Sequence, residues 1–190
     1  IEKLKAYKQS LITEVVTKGL DSTVPMKNSG VEWIGEIPEK WSVVPLKSKF
    51  SFGKGLPITK DDLVEEGIPV ISYGQIHAKW NTGVTTHENL LRYVNESYLE
   101  SNSSALVKKG DLIMADTSED RDGCGNCAYI DIDETVFAGY HTIILNALNS
   151  ENNKYFAYLF LTDNWRSQIR KAVSGVKLFS ISRRILGCVS

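Results

Sequence analysis

None of the common nucleotide-binding or hydrolase motifs occurs in the 190 residues. There is no G-x-G-x-x-G after a strand and no Walker loop, so no dinucleotide or P-loop nucleotide site is predicted. H-E-x-x-H and G-x-S-x-G are missing. Also missing are the N-P-P-[YF] or D-P-P-Y tetrapeptide, in which amino-methyltransferases hold a flipped base, and the P-D…E-x-K core of two-carboxylate nucleases. The sequence therefore shows no motif for a nucleotide cofactor or for any of these hydrolase, methyltransferase and nuclease reactions.

Long apolar runs and secretory signals are missing as well. No run approaches the roughly 18 residues of a membrane span, and no signal peptide opens the chain. With only three cysteines and no secretory signal, we expect a reducing compartment and place the protein in the cytoplasm. The hydrophobic share of 42% and charged share of 24% are typical of a globular domain that buries its own core. The chain begins with Ile rather than Met, so we expect either a trimmed chain or a piece of a longer protein.

Charge is unevenly distributed, although the net charge is only −1. Residues 1–60 carry ten Lys and six acidic residues, residues 61–150 carry five basic and fifteen acidic residues, and residues 151–190 carry seven basic and two acidic residues. Basic ends beside an acidic centre can bind an anion on one face and a different partner on another. The alternative is an ordinary solvated surface, and charge alone does not separate the two.

The spacing of Cys124 and Cys127 is the one hint of a metal or redox site. C-x-x-C suits two tetrahedral zinc ligands, but zinc needs about four, so Cys188 and histidines would have to complete the set. As a redox pair the motif belongs at a helix N-terminus, whereas here it follows an acidic loop and precedes a predicted strand. Structural cysteines are the favoured interpretation, with a zinc or interaction module and a redox pair as alternatives.

Four carboxylates precede this motif, namely Asp116, Glu119, Asp120 and Asp122. A solvated acidic loop is the favoured interpretation, and a site for a metal or for an arginine side chain is the alternative. The enzymatic hypothesis is a metal-dependent DNA hydrolase that uses this acidic loop, residues 116–122. The chain has three histidines, each in or beside a polar loop: His77, His87 and His141. Such histidines are more often surface or hydrogen-bonding groups than catalysts.

The N-terminal segment predicts an amphipathic helix over residues 3–18. One face carries apolar residues at steps of three and four, namely Leu4, Tyr7, Leu11 and Val15. Gly19 follows where a left-handed cap residue is typical. A helix of about five turns cannot bury this stripe alone, so it needs the domain, another helix or another subunit. Residues 21–30 are polar and contain Pro and Gly, which predicts a connection.

Strands are predicted after this connection in residues 41–55, 105–118 (two strands around a Lys-Gly-Asp turn), 127–133 and 141–148. Residues 68–77, an apolar run bounded by Gly67 and Gly74, predict a buried strand followed by an irregular loop. A second amphipathic helix is predicted over 154–175, weakest at Asp163 and Asn164, and Ser182 is placed to cap a short helical turn. The predicted fold class is α+β: a mostly antiparallel, twisted β-sheet with a packed helix, preceded by a separate N-terminal helix.

Three stretches of this chain resemble the specificity subunit of type I restriction–modification enzymes. Residues 4–41, LKAYKQSLITEVVTKGLDSTVPMKNSGVEWIGEIPEKW, resemble the central conserved segment that runs into the second half of that subunit. Residues 107–145 contain VKKGDLIMADTSED and AYIDIDETVFAGYHTIIL and resemble the body of a target recognition domain. Residues 172–186, AVSGVKLFSISRRIL, resemble the closing segment of that domain. The resemblance covers nearly the whole chain.

The resemblance implies a non-catalytic subunit with two recognition domains held apart by two long antiparallel helices. Each domain binds one half of a bipartite site on double-stranded DNA, so helix length sets the spacer. S-adenosylmethionine, ATP and Mg²⁺ are then expected on the modification (methyltransferase) and restriction subunits, not on this chain. Residues 1–20 would end a spacer helix, 21–40 would connect it, and 41–190 would form one recognition domain. The family continues beyond Ser190 into a second long helix, so we expect another copy, paired through the N-terminal helix, or a longer subunit to complete the helical pair.

Residues that could contact DNA lie in four regions, one of which is Tyr140 and His141 beside Gly139. The loop over residues 72–83 offers amide and aromatic side chains between glycines, and Gln or Asn can bind adenine in a bidentate manner. Lys54 lies between two glycines, where backbone can approach a phosphate closely. Basic residues near a predicted helix start form the third region. The predicted contacts are Lys54, Tyr73, Gln75, His77, Lys79, Trp80, Asn81, Tyr140, His141, Lys177, Arg183 and Arg184. The acidic centre should then face away from DNA, toward a modification subunit.

The segment GVEWIGEIPEKWSVVPLK (residues 30–47) has two tryptophans, two glycines and two prolines but neither a helical nor a strand period. We expect it to join the spacer helix to the recognition domain. Trp33 and Ile34 would hold the incoming segment, Pro38 would limit its freedom, and Trp41 would anchor the first strand by burying its indole. In a protein that must place two recognition domains at a set distance, the angle of this joint would matter for function.

Overall fold

A computed structural model describes residues 2–149, 153–173, 175 and 177–189. The helices are α1 (Glu2–Lys18), α2 (Tyr73–Ile76), α3 (Tyr98–Ser101), α4 (Asn153–Phe160), α5 (Asp163–Ala172) and α6 (Arg183–Cys188). The strands are β1 (Met26–Asn28), β2 (Glu36–Pro38), β3 (Phe50–Lys54), β4 (Leu63–Val64), β5 (Ile68–Ile71), β6 (Arg92–Val94), β7 (Leu106–Val107), β8 (Leu112–Ala115), β9 (Thr117–Ser118), β10 (Cys127–Tyr129), β11 (Val136–Ala138), β12 (Thr142–Ala147) and β13 (Phe179–Ser180).

Two sheets form the centre of the domain. A four-stranded antiparallel sheet has the order β10-β8-β12-β3, and a five-stranded sheet has the order β4-β6-β5-β11-β7. The pair β5–β11 is parallel, and the other pairs in both sheets are antiparallel. Two small ribbons, β1–β2 and β9–β13, flank them. The predicted α+β class with a mostly antiparallel sheet and a separate N-terminal helix is confirmed.

The four-stranded sheet lies between two apolar layers, because successive side chains of a strand point to opposite faces. Leu112 and Met114 face the cluster that contains Phe160 and Trp165 of the helices. Ile113, between them in β8, faces the cluster formed with the five-stranded sheet. Strands β8 and β12 are therefore buried on both faces, which explains why they appear in the sequence as continuous apolar runs rather than alternating ones.

The single helix predicted over 154–175 is wrong, because two helices, α4 and α5, occupy this region. The break lies at Leu161 and Thr162. The Thr162 hydroxyl donates to the Leu159 carbonyl at 2.7 Å and accepts from the Trp165 backbone N–H at 3.4 Å, so it caps α5 and ends α4. Ser174, within the predicted span, lies outside the described residues.

Other local predictions had mixed outcomes. Gly19 has φ +82°, and its N–H bonds to the Val15 carbonyl at 2.9 Å, which confirms the helix end. Ser182 caps α6 as predicted. The strand predicted from residue 41 begins only at Phe50, after a 3₁₀ turn at Leu46–Ser48, because Pro45 cannot donate to a sheet.

Two further segments differ from expectation. Part of the predicted connection is strand β1, which pairs with β2 in an exposed antiparallel ribbon. The loop expected to be irregular after β5 begins with helix α2, because Ser72 and Gln75 form a reciprocal capping box. No helix among the described residues has the length and apolar character needed to cross a membrane.

Candidate nucleic-acid interface

Three aromatic side chains meet at one edge of the five-stranded sheet. Strands β5 and β11 are parallel neighbours, so the loops that follow them leave from the same edge. Tyr73 follows the first strand and Tyr140 and His141 follow the second, and the Tyr73 ring centroid lies 5.4 Å from each of the other two rings. The Tyr73 N–H also bonds to the Tyr140 carbonyl at 3.2 Å. The structure thus brings together three predicted contact residues that are far apart in sequence.

Close backbone approach makes this arrangement depend on glycine. A Cβ on Gly139 would lie 2.0 Å from the Ser72 Oγ, and a Cβ on Gly55 would lie 2.0 Å from the Gly139 carbonyl oxygen. Both contacts are far shorter than van der Waals distance. The glycines therefore allow β3, β5 and β11 to converge on the aromatic cluster, defined here as Tyr73, Tyr140 and His141.

His141 has φ +55°, the one positive φ of a non-glycine residue in the described part of the chain. Its Nδ1 lies 3.2 Å from the Asp116 Oδ1, and the Thr117 hydroxyl donates to the same carboxylate oxygen at 2.7 Å. The left-handed backbone costs free energy, and such residues cluster at binding sites. The Asp116 contact holds an exposed imidazole in a fixed position at the surface.

Three of the predicted contact residues are occupied by bonds within the chain. The His77 Nε2 donates to the Thr117 carbonyl at 2.8 Å, and its Nδ1 accepts from the Asn126 amide at 3.0 Å. The Asn81 Nδ2 donates to two carbonyls at 2.7 and 2.8 Å while its Oδ1 accepts from a backbone N–H at 2.9 Å. The Gln75 Oε1 accepts from the Ser72 N–H at 3.1 Å. In this conformation neither amide offers a free pair of groups for bidentate binding of adenine.

Exposed cations lie on segments that adjoin those carrying the aromatic cluster. Ribbon β9–β13 places Phe179 opposite Ser118, and the Ile181 N–H bonds to the Asp116 carbonyl at 2.7 Å, so α6 begins beside His141. The Arg183 guanidinium lies 3.5 Å from the Phe52 carbonyl, which brings it to β3. Within the described part of the chain no carboxylate lies within 4.0 Å of the predicted cations at these positions, namely Lys54, Lys177, Arg183 and Arg184.

Trp80 and Lys79 form a separate exposed stack. The Trp80 ring lies parallel to the His87 ring at 5.4 Å, and the Lys79 ammonium lies 4.9 Å from the Trp80 ring centroid. The indole is 46% exposed. These two predicted contact residues therefore belong to a different surface feature from the aromatic cluster.

The acidic loop does not face away from the predicted contact residues. A cleft of about 510 Å³ is lined by Tyr73 and His77 on one side and by Glu119, Asp120 and Asp122 on the other. Carboxylates repel phosphate but accept hydrogen bonds from base amino groups. Residues 116–122 therefore lie on the same side as the aromatic cluster, contrary to the expectation from sequence.

The described residues form no assembled metal site of the kind that the hydrolase and zinc hypotheses require. Among the described residues no group of three or more His, Cys, Asp or Glu side chains is arranged to hold a metal ion. Cys124 and Cys127 are buried thiols, and burial raises the pKa of Cys127 to about 12. A thiol with so high a pKa is neutral at physiological pH and is a poor nucleophile and metal ligand.

Arg166, which belongs to none of the motifs found in the sequence, holds the acidic loop against α5. Its guanidinium donates to the Asp122 carbonyl at 2.9 Å and to the Asn126 side-chain oxygen. Burial, together with the nearby Arg170, lowers the pKa of Arg166. An arginine-binding site is one of the alternatives predicted for the acidic loop, but no local pattern in the sequence indicates that the arginine comes from α5.

A family model described as "Type I restriction modification DNA specificity domain" matches residues 38–182. The chain belongs to this family, and the resemblance inferred from sequence is confirmed. A curated relative, the type I restriction enzyme MjaVIII specificity subunit of Methanocaldococcus jannaschii, is 25% identical over 183 residues, which cover 92% of this chain and 40% of the relative. The chain thus spans about two-fifths of the length of that relative.

Solved structures show the same fold. The S subunit of the type I restriction–modification system of M. genitalium aligns with a TM-score of 0.52 at 15% identity, covering 91% of this chain and 35% of that chain. The HsdS subunit of Thermoanaerobacter tengcongensis aligns with a TM-score of 0.56 at 14% identity, covering 98% and 40%. A structure described as bearing on complex assembly and conformational transition of the type I system aligns with a TM-score of 0.59 at 14% identity, covering 99% and 41%.

Proposed function

We propose that this chain is a non-catalytic DNA-recognition component of a type I restriction–modification enzyme. It binds one half of a bipartite site on double-stranded DNA and directs modification subunits, and through them restriction subunits, to that site. S-adenosylmethionine, ATP and Mg²⁺ belong to those partners in this proposal. Membership of the specificity-domain family supports the assignment, as does the name of the curated relative.

The observation that carries the proposal is the combination of aromatic cluster and exposed cations at one edge of the domain. Lys54, Arg183 and Arg184 have no carboxylate partner among the described side chains and can bind phosphates. Tyr73 and His141, whose ring centroids lie 5.4 Å apart, can contact bases. Phosphate contacts would set the position of the domain on the duplex, and the central side chains would distinguish the sequence.

Fewer residues are proposed to contact DNA than the sequence alone predicts. Tyr73, Tyr140 and His141 are its centre, and Lys54, Lys177, Arg183 and Arg184 are its phosphate contacts. Gln75, His77 and Asn81 hold the conformation of their loop through hydrogen bonds within the chain. Lys79 and Trp80 would contact DNA only at its periphery.

The domain organisation follows the same proposal. Residues 1–20 are the end of a spacer helix, residues 21–40 join it to the recognition domain, and residues 41–190 form that domain. Leu4 and Tyr7 on α1 are 72% and 68% exposed, so the apolar stripe has no partner in the described part of a single chain. We propose that a second copy or a longer subunit covers this stripe.

A binding selection tests the function. The chain together with its modification subunit is mixed with a pool of random duplexes, and bound DNA is sequenced after several rounds. Enrichment of one short sequence is expected, and its loss is expected when His141 and Tyr73 are both replaced by Ala. A bound pool with no preferred sequence, at a salt concentration where non-specific binding is weak, would overturn the proposal.

A further inference from the structure

Two long-range hydrogen bonds connect helix α1 to the recognition domain. The Gln9 Nε2 donates to the Leu161 carbonyl at 2.8 Å, and the Tyr155 hydroxyl donates to the Val16 carbonyl at 2.8 Å. Each joins residues more than 130 positions apart in the chain. They are thus tertiary contacts between the arm helix and the α4–α5 region.

Both acceptors are carbonyls that the helices leave free. Leu161 lies in the break between α4 and α5, outside the helical hydrogen bonds of either. Val16 lies in the last turn of α1, where the final four carbonyls have no partner within the helix. The Thr162 cap that interrupts the predicted long helix therefore also creates the acceptor for Gln9.

Because the two hydrogen bonds are separated along α1, together they restrain the direction of α1 relative to α4. Gln9 and Val16 are seven residues apart on α1, about two turns or roughly 10 Å along the axis and on one face. Their partners run the opposite way, since Gln9 meets the end of α4 and Val16 meets its start, so the two helices are antiparallel. With only one of these hydrogen bonds α1 could rotate about that contact, whereas two separated hydrogen bonds fix both the direction and the rotation of α1.

Apolar packing around these bonds is incomplete. Val16 is the one buried residue of α1 in the described chain. Beside it lies a partly open cavity of about 160 Å³, lined by Trp33, Trp41 and Tyr155 among others. Trp41 is 37% exposed and touches Tyr155 edge-to-face at 6.5 Å. Because a cavity removes contacts that would otherwise resist motion, the hydrogen bonds carry a larger share of the restraint.

We propose that Gln9 and Tyr155 are positioning residues that fix the angle between α1 and the recognition domain, and thereby the spacing of the two half-sites that the enzyme accepts. This inference rests on the proposed function for its consequence on DNA. The restraint itself is a property of the chain. Neither residue needs to touch DNA or a partner subunit for the effect to occur.

The test uses matched variants of the full chain in complex with its modification subunit. Gln9→Met and Tyr155→Phe each remove one donor while keeping the size of the side chain, and the double variant removes both. Gln9→Lys restores a donor and should rescue the single variant. Lys8→Met, a neighbouring exposed position on α1, is the control for a change of surface charge.

The first measurement is methylation mapping on a library in which the two half-sites are separated by different numbers of base pairs. The wild type and Lys8→Met should methylate at one spacing. The double variant should methylate at neighbouring spacings too, with its preference for the original spacing reduced by about fivefold per bond removed, the ratio expected for loss of one such hydrogen bond. The half-site sequence should not change, whereas a general loss of structure would weaken methylation at every spacing.

The second measurement does not depend on DNA. Spin labels are attached at Lys3→Cys on α1 and Glu134→Cys on the domain, with Cys188→Ser in the background, and the distance distribution is recorded. The double variant should give a broader distribution than the wild type. An unchanged distribution together with unchanged spacing overturns the proposal. If the wild type methylates no specific sequence at any spacing, the proposed function fails, and the distance distribution alone decides whether the two bonds restrain the arm.

Discussion

Replacing Lys54, Arg183 and Arg184 together by Gln should flatten the salt dependence of DNA binding. Each phosphate contact on B-DNA contributes a slope of about −0.9 to the plot of log affinity against log salt. If all three side chains contact phosphate, the slope becomes less steep by about 2.7. Raising the salt concentration from 50 to 200 mM lowers the DNA affinity of both proteins, and the factor by which it falls should be about 40 times smaller for the variant than for the wild type.

The same substitutions should leave folding intact. The three side chains are exposed and none is within 4.0 Å of a carboxylate in the described structure, so each change should alter the free energy of unfolding by no more than about 0.5 kcal/mol. Lys109→Gln is a suitable control, because the Lys109 ammonium already pairs with Asp133 at 2.8 Å. The assay is fluorescence anisotropy of a labelled duplex with the chain and its modification subunit at a series of salt concentrations. A triple variant with the wild-type slope would refute the placement of DNA at this edge.

Three further outcomes are expected. Gly55→Ala should destabilise the fold by about 3 kcal/mol or more, because its Cβ would lie 2.0 Å from a backbone carbonyl oxygen, whereas Gly74→Ala, with nothing within 4 Å, should not; equal unfolding midpoints in urea would contradict this. Burial raises the pKa of Cys127 from 9.0 to about 12, so its contribution to stability is complete below pH 9 and is lost as pH rises toward 12. The urea midpoint should then fall more between pH 8 and pH 10.5 in the wild type than in Cys127→Ala, and equal falls would show that the thiol is not responsible. Trp41→Ala should cost about 1–2 kcal/mol, since the indole is 37% exposed, and leave base preference unchanged in the binding selection; a stable variant with altered preference would identify a DNA-reading surface rather than a joint.

Local signals predicted those elements whose structure is set by neighbouring residues. The stripe and Gly19 predicted α1, and Ser182 predicted the start of α6, because caps and helical periodicity depend only on nearby sequence. Thr162 carried an equally local signal, since a threonine hydroxyl competes for backbone groups. The apolar periodicity that continues on both sides of it favoured a single helix, and the hydroxyl contacts of the folded chain divide that helix.

The arrangement of the site depends on pairing that is not local. Tyr73 and His141 meet because β5 and β11 are adjacent and parallel, and β11 is only three buried residues, VFA, that show no period. Likewise the sequence identified the acidic loop over residues 116–122 but not its position beside the aromatic cluster, which follows from ribbon β9–β13 and from Arg166. Asn81 looked suited to adenine because its side-chain type is right. In the fold its three hydrogen bonds hold a loop instead.

The central claim is that this chain selects a DNA sequence for modification by another subunit. The most direct test is to express the chain with its cognate modification subunit in a host whose DNA lacks the modification, and to map methylated bases across the genome by sequencing. We predict methylation confined to a bipartite sequence with a fixed spacer, and its loss when Tyr73 and His141 are replaced by Ala. Methylation that shows no common sequence, or that is unchanged when this chain is omitted, would contradict the account.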